Sequence, residues 1–251
     1  MITHSLTIIV PCYNEEERVQ QAISDLLSSF SDFAHPWEIL VVDDCSIDRT
    51  NELAQAMVAK NPQVRLIKNN PNRGLGGTYR VGVENSRMTH SVLFPGDNEI
   101  NAQSVRKVCD HIGEADIITS YSLNPELRKV SRRVISKVFT FLVNCICLRR
   151  LRYYNGPIVQ SRDLLAQVDL KTNSFAYQAE IMIQMLKLGF SYKEYPFSLN
   201  YQSERTRVLN VNNFMVIGKT LIQMALVYWS PNPSRKNSDS LREKTKGRVA
   251  S

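Results

Sequence analysis

The chain is poor in features that define whole classes of protein. It has five cysteines, an odd number without paired spacing, and Cys145 and Cys147 lie too close together for a C-x-x-C zinc or redox motif. This argues against a disulfide framework and for a reducing compartment. The four histidines, His4, His35, His90 and His111, are scattered and show no metal-ligand spacing. No apolar run reaches the ~20 residues of a spanning helix. Residues 1–17 have neither a basic start nor a cleavage signature, so no signal peptide is expected. Internal repeats are absent, as are the P-loop and G-x-G-x-x-G spacings. A hydrophobic content of 43% and a charged content of 22% over 251 residues suit one large domain or two small ones, and exclude a collagen-like or wholly disordered chain.

Positive charge is abundant but unevenly placed. Residues 1–127 carry 10 Lys/Arg against 17 Asp/Glu, and residues 128–251 carry 21 against 7. Six of the latter cations lie after residue 234, and the segment stays strongly basic without them. Such a surface calls for an anionic partner: phosphate, nucleic acid or lipid headgroups. Nucleic acid is disfavoured, because the basic part lacks aromatics at stacking-platform spacing.

Apolar runs and helical periodicity alternate through the first part. Strands are expected at Leu6–Val10 (ending at Pro11), Ile39–Val42, Val64–Ile67, Val92–Phe94 and Asp116–Thr119. Helices are expected at Glu15–Phe30, from Asp48 or Arg49 to Ala59, at Gly76–Asn85 and at Ala102–Ile112. Helical crossovers of this length imply a mostly parallel sheet, an α/β Rossmann-like layer flanked by helices. Ligands bind beyond the carboxyl ends of such strands. Three polar clusters fall there: Asn14-Glu15, Asp43-Asp44 and Asp97-Asn98-Glu99. Glu15–Glu17 favour a helix N-terminus, and Ser46 or Asp48 can cap the next helix. The adjacent carboxylates of Asp43 and Asp44 need a cation or donors nearby, which a base and ribose offer. Asn72–Gly77 is a glycine-rich turn into a helix. Its N–H groups can meet a phosphate, with Arg73 adding a cation. Asp97 and Glu99 offer oxygen to a hard divalent ion.

Val10–Glu16, Val41–Thr50 and Asn72–Gly76, in this order and spacing, resemble glycosyltransferase family 2, and within it the dolichyl- or polyprenyl-phosphate sugar synthases. The likeness continues more loosely through Phe175–Glu180 and Lys187–Pro196 and covers roughly residues 5–228. The resemblance implies a GT-A fold, a GDP- or UDP-sugar donor and Mg²⁺ or Mn²⁺. It places Pro11, Tyr13, Glu15, Asp43 and Asp44 around the nucleoside, with Arg73 and Gly74 on the donor side. The family's Asp-x-Asp metal motif aligns with Pro95–Glu99. Pro95 replaces the first acid, Asp97 takes the second, and Glu99 stands at a glutamine position. Asp97 and Glu99 are therefore the expected metal ligands.

A phosphate acceptor is already an anion and needs cations rather than a general base. The resemblance puts arginines for it near Arg128 and Arg132 or Arg133. It also places Asn155, Glu180, Arg205 and Arg207 on the acceptor side, and Arg152 where the branch carries an acid. Val134–Leu148 reads as an amphipathic helix with Lys137, Thr140 and Asn144 as its polar stripe. Phe214–Trp229 repeats the pattern, with Tyr228-Trp229 at its end. Basic residues flank the first helix on both sides. The expectation is a single domain over residues 1–230, with a donor part to 127 and an acceptor part after it, followed by a disordered basic tail, 231–251. The chain is expected to sit peripherally at the cytoplasmic face of an anionic membrane, with polyprenyl phosphate or a glycan as acceptor. Two other readings compete: transfer to a hydroxyl acceptor, which needs a general base, and nucleotide-sugar binding without turnover. Cys12 and Cys45 lack the base that a thiol nucleophile requires.

Overall fold

The computed structural model describes residues 4–170, 172–173, 176–201 and 211–230. The expected tail, 231–251, and the expected acceptor-side residues Arg205 and Arg207 lie outside them. In chain order the elements are β1 (Leu6–Cys12), α1 (Val19–Ser29), β2 (Trp37–Asp43), α2 (Thr50–Lys60), β3 (Val64–Lys68), α3 (Gly74–Glu84), β4 (His90–Leu93), α4 (Ala102–Cys109), β5 (Ile117–Ser122), α5 (Val130–Cys147), β6 (Val159–Ser161), α6 (Arg162–Leu165), α7 (Tyr177–Lys187), β7 (Tyr192–Phe197) and α8 (Val211–Trp229). The seven strands form one sheet in the order β3-β2-β1-β4-β6-β5-β7. All pairings are parallel except those of β6, which runs antiparallel to both β4 and β5.

Strand alternation sorts the core into two layers. Leu6, Ile8, Val10, Ile39 and Val41 face α1, α2 and α4, while Ile9, Leu40 and Val42 face α3, α5, α7 and α8. In α1 the buried residues Val19, Ala22, Ile23 and Leu26 recur at helical spacing and form one stripe on the sheet. In α4 the side chain of Asn101 accepts from Ser104 N, the N-cap that starts the helix. Gly82 lets α3 lie close on β1, since a Cβ there would meet Ile9 Cγ2 at 2.5 Å.

Two expectations need correction. Pro11 does not stop the first strand: β1 continues to Cys12, with Pro11 opposite Val42. The carbonyl of Pro11 accepts from Gly96 N at 3.2 Å. Its missing N–H is on the same side, so the pairing with β2 runs through Pro11 while the pairing with β4 ends at Ile9 and Leu93. The expected polar stripe of α5 is not one surface either. Asn144 turns inward, its Nδ2 donating to Leu151 O at 2.9 Å and its Oδ1 accepting from Leu151 N and Tyr154 Oη. Lys137 stays outward, among Val134, Val138, Phe141 and Leu142, all exposed. No helix among the described residues is long and apolar enough to cross a membrane.

Candidate active site

The carboxyl ends of β1, β2 and β4 bring the three polar clusters to one edge of the sheet. At the end of β2, Asp43 and Asp44 are both buried. Their mutual repulsion is relieved by donors within the protein. Asp43 accepts from Ser46 N at 3.0 Å and Asn51 Nδ2 at 2.8 Å. Asp44 Oδ1 accepts from Asn69 Nδ2 and Arg73 N, and its Oδ2 accepts from Gly74 N at 2.9 Å. Gly76 N donates in turn to Asn173 O at 3.0 Å. The glycine-rich turn thus spends three of its N–H groups on its own scaffold. Gly74 has φ +68° and lies against Asn173, where a Cβ would sit 2.8 Å from the carbonyl oxygen. The Arg73 side chain is exposed.

After β1, Tyr13 is 40% exposed while Glu15 is buried, its N–H donating to Thr50 Oγ1 at 2.7 Å. Glu15–Glu17 occupy the turn before α1 rather than its first turn. Arg18 ends that turn, its guanidinium 4.4 Å over the Tyr201 ring. Tyr201 Oη donates to the Asp97 carbonyl, linking this corner to the β4 loop. Burial and the nearby Asp97 push the Tyr201 phenol up to about 12, so it remains a neutral donor at physiological pH. Burial likewise pushes the Cys12 thiol well up, which removes it as a nucleophile.

The β4 loop meets the arginines across a cavity of about 250 Å³. Glu99 is buried, with Oε1 2.9 Å from Arg128 Nε and Oε2 3.0 Å from Arg132 Nη1. Arg128 is also nearly buried, and its Nη1 donates to Tyr153 Oη at 2.7 Å. Burial pulls the Arg128 guanidinium down, but Tyr153 and Glu99 more than reverse this, and it stands above the usual arginine value. Asp97 and Asn155 also line the cavity. The Oδ1 of Asn155 is buried without a hydrogen-bond partner among the described residues. Leu93, Ile135, Phe139 and Tyr177 add apolar surface to the lining.

Of the expected site residues, the fold gathers Asp97, Glu99, Arg128, Arg132 and Asn155 around this one cavity. Pro11 is joined to the same corner through Gly96, and Gly74 precedes Leu75, which lines the wall. Arg133 and Glu180 do not line the cavity. Glu180 is buried on α7, where its Oε2 accepts from Thr172 N at 2.9 Å and holds that loop. Sequence reasoning missed Tyr153, Gln178 and Arg18. Gln178 lines the cavity and donates to Gly156 O at 2.9 Å. Only its place in the Phe175–Glu180 stretch hinted at it, and nothing near Tyr153 in the chain points to Arg128.

No group of three or more acids, histidines and cysteines that could hold a metal ion occurs among the described residues. Asp97 in this loop still suits a cation carried mainly by phosphate oxygens, since Mg²⁺ takes few protein ligands beside a diphosphate.

A Rossmann-like sheet with its polar clusters at the strand carboxyl ends and an antiparallel strand inserted beside β4 is the GT-A architecture. The crystal structure of M. tuberculosis glucosyl-3-phosphoglycerate synthase superposes with TM-score 0.69 at 16% identity, over 92% of this chain and 83% of that one. The same enzyme in complex with Mn²⁺, UDP and glucosyl-3-phosphoglycerate superposes with TM-score 0.66 at 14% identity, over 92% of this chain and 82% of that one. The sequence profile of glycosyl transferase family 2 matches residues 7–158, and the chain belongs to this family of glycosyltransferases. A dolichyl-phosphate β-glucosyltransferase of Homo sapiens is 34% identical, with 93% of this chain and 80% of that protein aligned. One from Dictyostelium discoideum is 24% identical over 75% of this chain. The dolichol-phosphate mannosyltransferase of Pyrococcus furiosus is 27% identical over 71% of this chain and 52% of its own length. The chain spans 64% of the Dictyostelium protein.

Proposed function

We propose that this glycosyltransferase moves a sugar, with inversion, from a GDP- or UDP-sugar to the phosphate of a polyprenyl phosphate at the cytoplasmic face of a membrane. The mixed lining of the cavity carries the reading. Arg128 and Arg132 line it together with the apolar Leu93, Ile135 and Phe139. An anionic head on an apolar chain is the ligand that matches both kinds of lining. The dolichyl-phosphate relatives support the same acceptor class.

In this reading the donor lies across the edge formed by Pro11, Tyr13, Glu15, Asp43, Asp44, Arg73 and Gly74. Asp97 faces its diphosphate and would hold Mg²⁺ or Mn²⁺ there. When bound, such an ion neutralises charge that develops on the leaving diphosphate. Arg128 and Arg132 hold the acceptor phosphate in line with the sugar carbon, which replaces a diffusional encounter by a positioned one. Asn155 Oδ1, buried and without a partner among the described residues, is suited to a sugar hydroxyl.

The exposed apolar residues of α5 and α8 support a membrane-lying orientation. Val134, Val138, Phe141 and Leu142 on α5 and Ile222, Leu226 and Trp229 on α8 are all at least 39% exposed. The two helices pack against each other, and Lys137, Arg149, Arg150 and Lys219 are exposed on them or at the end of α5.

Purified protein is to be incubated with UDP- and GDP-sugars, with Mg²⁺ or Mn²⁺, and with or without a short polyprenyl phosphate. Lipid-linked sugar detected by mass spectrometry sustains the proposal and names the donor. Turnover only with hydroxyl acceptors replaces the acceptor, and nucleotide binding without any turnover replaces the enzyme reading.

A further inference from the structure

We infer that Glu99 is a positioning residue for the acceptor phosphate, acting through Arg128 and Arg132, and not a ligand of the divalent cation. The inference rests on the acceptor reading above. By its place in the chain, two residues after Asp97, Glu99 belongs with the metal motif. Its carboxylate points elsewhere. One oxygen is bonded to Arg128 Nε and the other to Arg132 Nη1. Two guanidiniums on one carboxylate leave a net positive group, and a divalent cation entering there meets two positive charges at contact range. An incoming phosphate meets the reverse field.

The support is rigid as well as charged. Glu99 N donates to Asp97 Oδ1 at 3.0 Å, and Glu99 O accepts from Asn200 N at 2.9 Å, so the backbone is held on both sides of the side chain. Arg128 follows the short 3₁₀ turn Pro125–Leu127, and Arg132 lies in the first turn of α5. Glu99 therefore bridges two consecutive pieces of chain and sets both guanidiniums toward one cavity. Tyr153 fixes Arg128 from a second direction. The Arg–Glu–Arg arrangement pre-forms an anion seat that arginine side chains in water would have to assemble at an entropic cost.

The test is Glu99→Gln, whose amide can accept from one arginine but not from both. Glu99→Asp is carried in parallel and is read by the same criteria should the amide variant fail to fold. Mn²⁺-dependent binding of UDP and GDP is measured by calorimetry, and acceptor KM with a short polyprenyl phosphate. The expected result is a Mn²⁺ half-saturation within twofold of the parent, an acceptor KM raised tenfold or more, and partial recovery of that KM in Glu99→Asp. A tenfold rise in the Mn²⁺ half-saturation, alone or together with the acceptor KM, overturns the inference. So does an unchanged acceptor KM in a folded variant, whatever its melting temperature. Nucleotide binding that needs no cation leaves the acceptor KM to decide. If the parent makes no lipid-linked product, the acceptor reading fails, and the nucleotide-binding arm still decides whether Glu99 ligates the cation.

Discussion

The carboxylate of Asp44, at the end of β2, accepts hydrogen bonds from the backbone N–H groups of Arg73 and Gly74, which open α3. Two βα corners of the donor edge are thereby locked to each other. Asp44→Ala would take the acceptor from Arg73 N and leave Gly74 N and the Asn69 amide only their second acceptors, Asn72 Oδ1 and Thr78 Oγ1, at a cost of about 2–3 kcal/mol. The expected outcome is a melting temperature lowered by roughly 5–10 °C together with weaker nucleotide binding. A change of under 2 °C would show that water or another group serves the turn equally well.

Arg132 and Arg133 are neighbours in the chain but not in the site. Arg132→Ala is expected to raise acceptor KM by about tenfold, the worth of one charge-assisted hydrogen bond, while nucleotide affinity holds within twofold. Arg133→Ala is expected to leave both within twofold. Steady-state kinetics with varied lipid phosphate read the difference, and equal effects from the two would dissolve the proposed seat.

Asp97 is the acid that remains for the cation once Glu99 is committed to the arginines. Asp97→Ala should abolish the Mn²⁺ dependence of nucleotide binding. Calorimetry with and without the ion checks this, and a dependence that survives the substitution sinks the assignment.

The exposed apolar face of α5 and α8 yields a separate prediction. Phe141→Asp combined with Leu226→Asp removes two exposed residues. Their burial in an interface is worth about 1.5–3 kcal/mol each. Co-sedimentation with vesicles containing anionic lipid should fall at least tenfold while the melting temperature stays within 2 °C. Undiminished binding would place the contact elsewhere.

A pH dependence follows from His90 at the start of β4. Its ring is 5.2 Å from that of His4, which is 5.6 Å from that of His35. Burial, followed by the neighbouring His4, lowers His90 from 6.5 to about 4. Between those two values the unfolded chain binds a proton that the folded one rejects, so stability falls as pH drops from 6.5 toward 4 and is fully present above 6.5. The loss is up to about 3 kcal/mol at pH 4. Denaturant midpoints measured at pH 7, 6 and 5 should decline in the parent and decline less steeply in His90→Gln. Parallel declines would remove His90 as the source.

The donor edge is legible in the chain because its determinants are local. Apolar runs end in Asp43-Asp44 and before Asp97, and helical periodicity follows each one, so the crossover rule carries the clusters to the same edge without knowledge of any contact. Pro11 is misread for the opposite reason: whether a proline ends a strand depends on which neighbour its nitrogen faces, and the pairing with β2 runs through Pro11. Asn144 is another such case. Helical spacing puts it on a polar stripe, but the loop at Leu151–Tyr154 returns to bond it.

Residue order by itself determined the alternating α/β plan, the excess of cation after residue 128 and the acids at the strand ends, because periodicity and charge are properties of neighbours along the chain. The tertiary structure alone decided that Asp43 and Asp44 are satisfied by protein donors, that Arg132 rather than Arg133 faces the cavity, and that Glu99 sits between two guanidiniums. Each of these depends on groups 8 to 33 residues apart meeting within hydrogen-bond range. Chain spacing carries no information about such meetings until packing of the two core layers brings the strand ends and the start of α5 together.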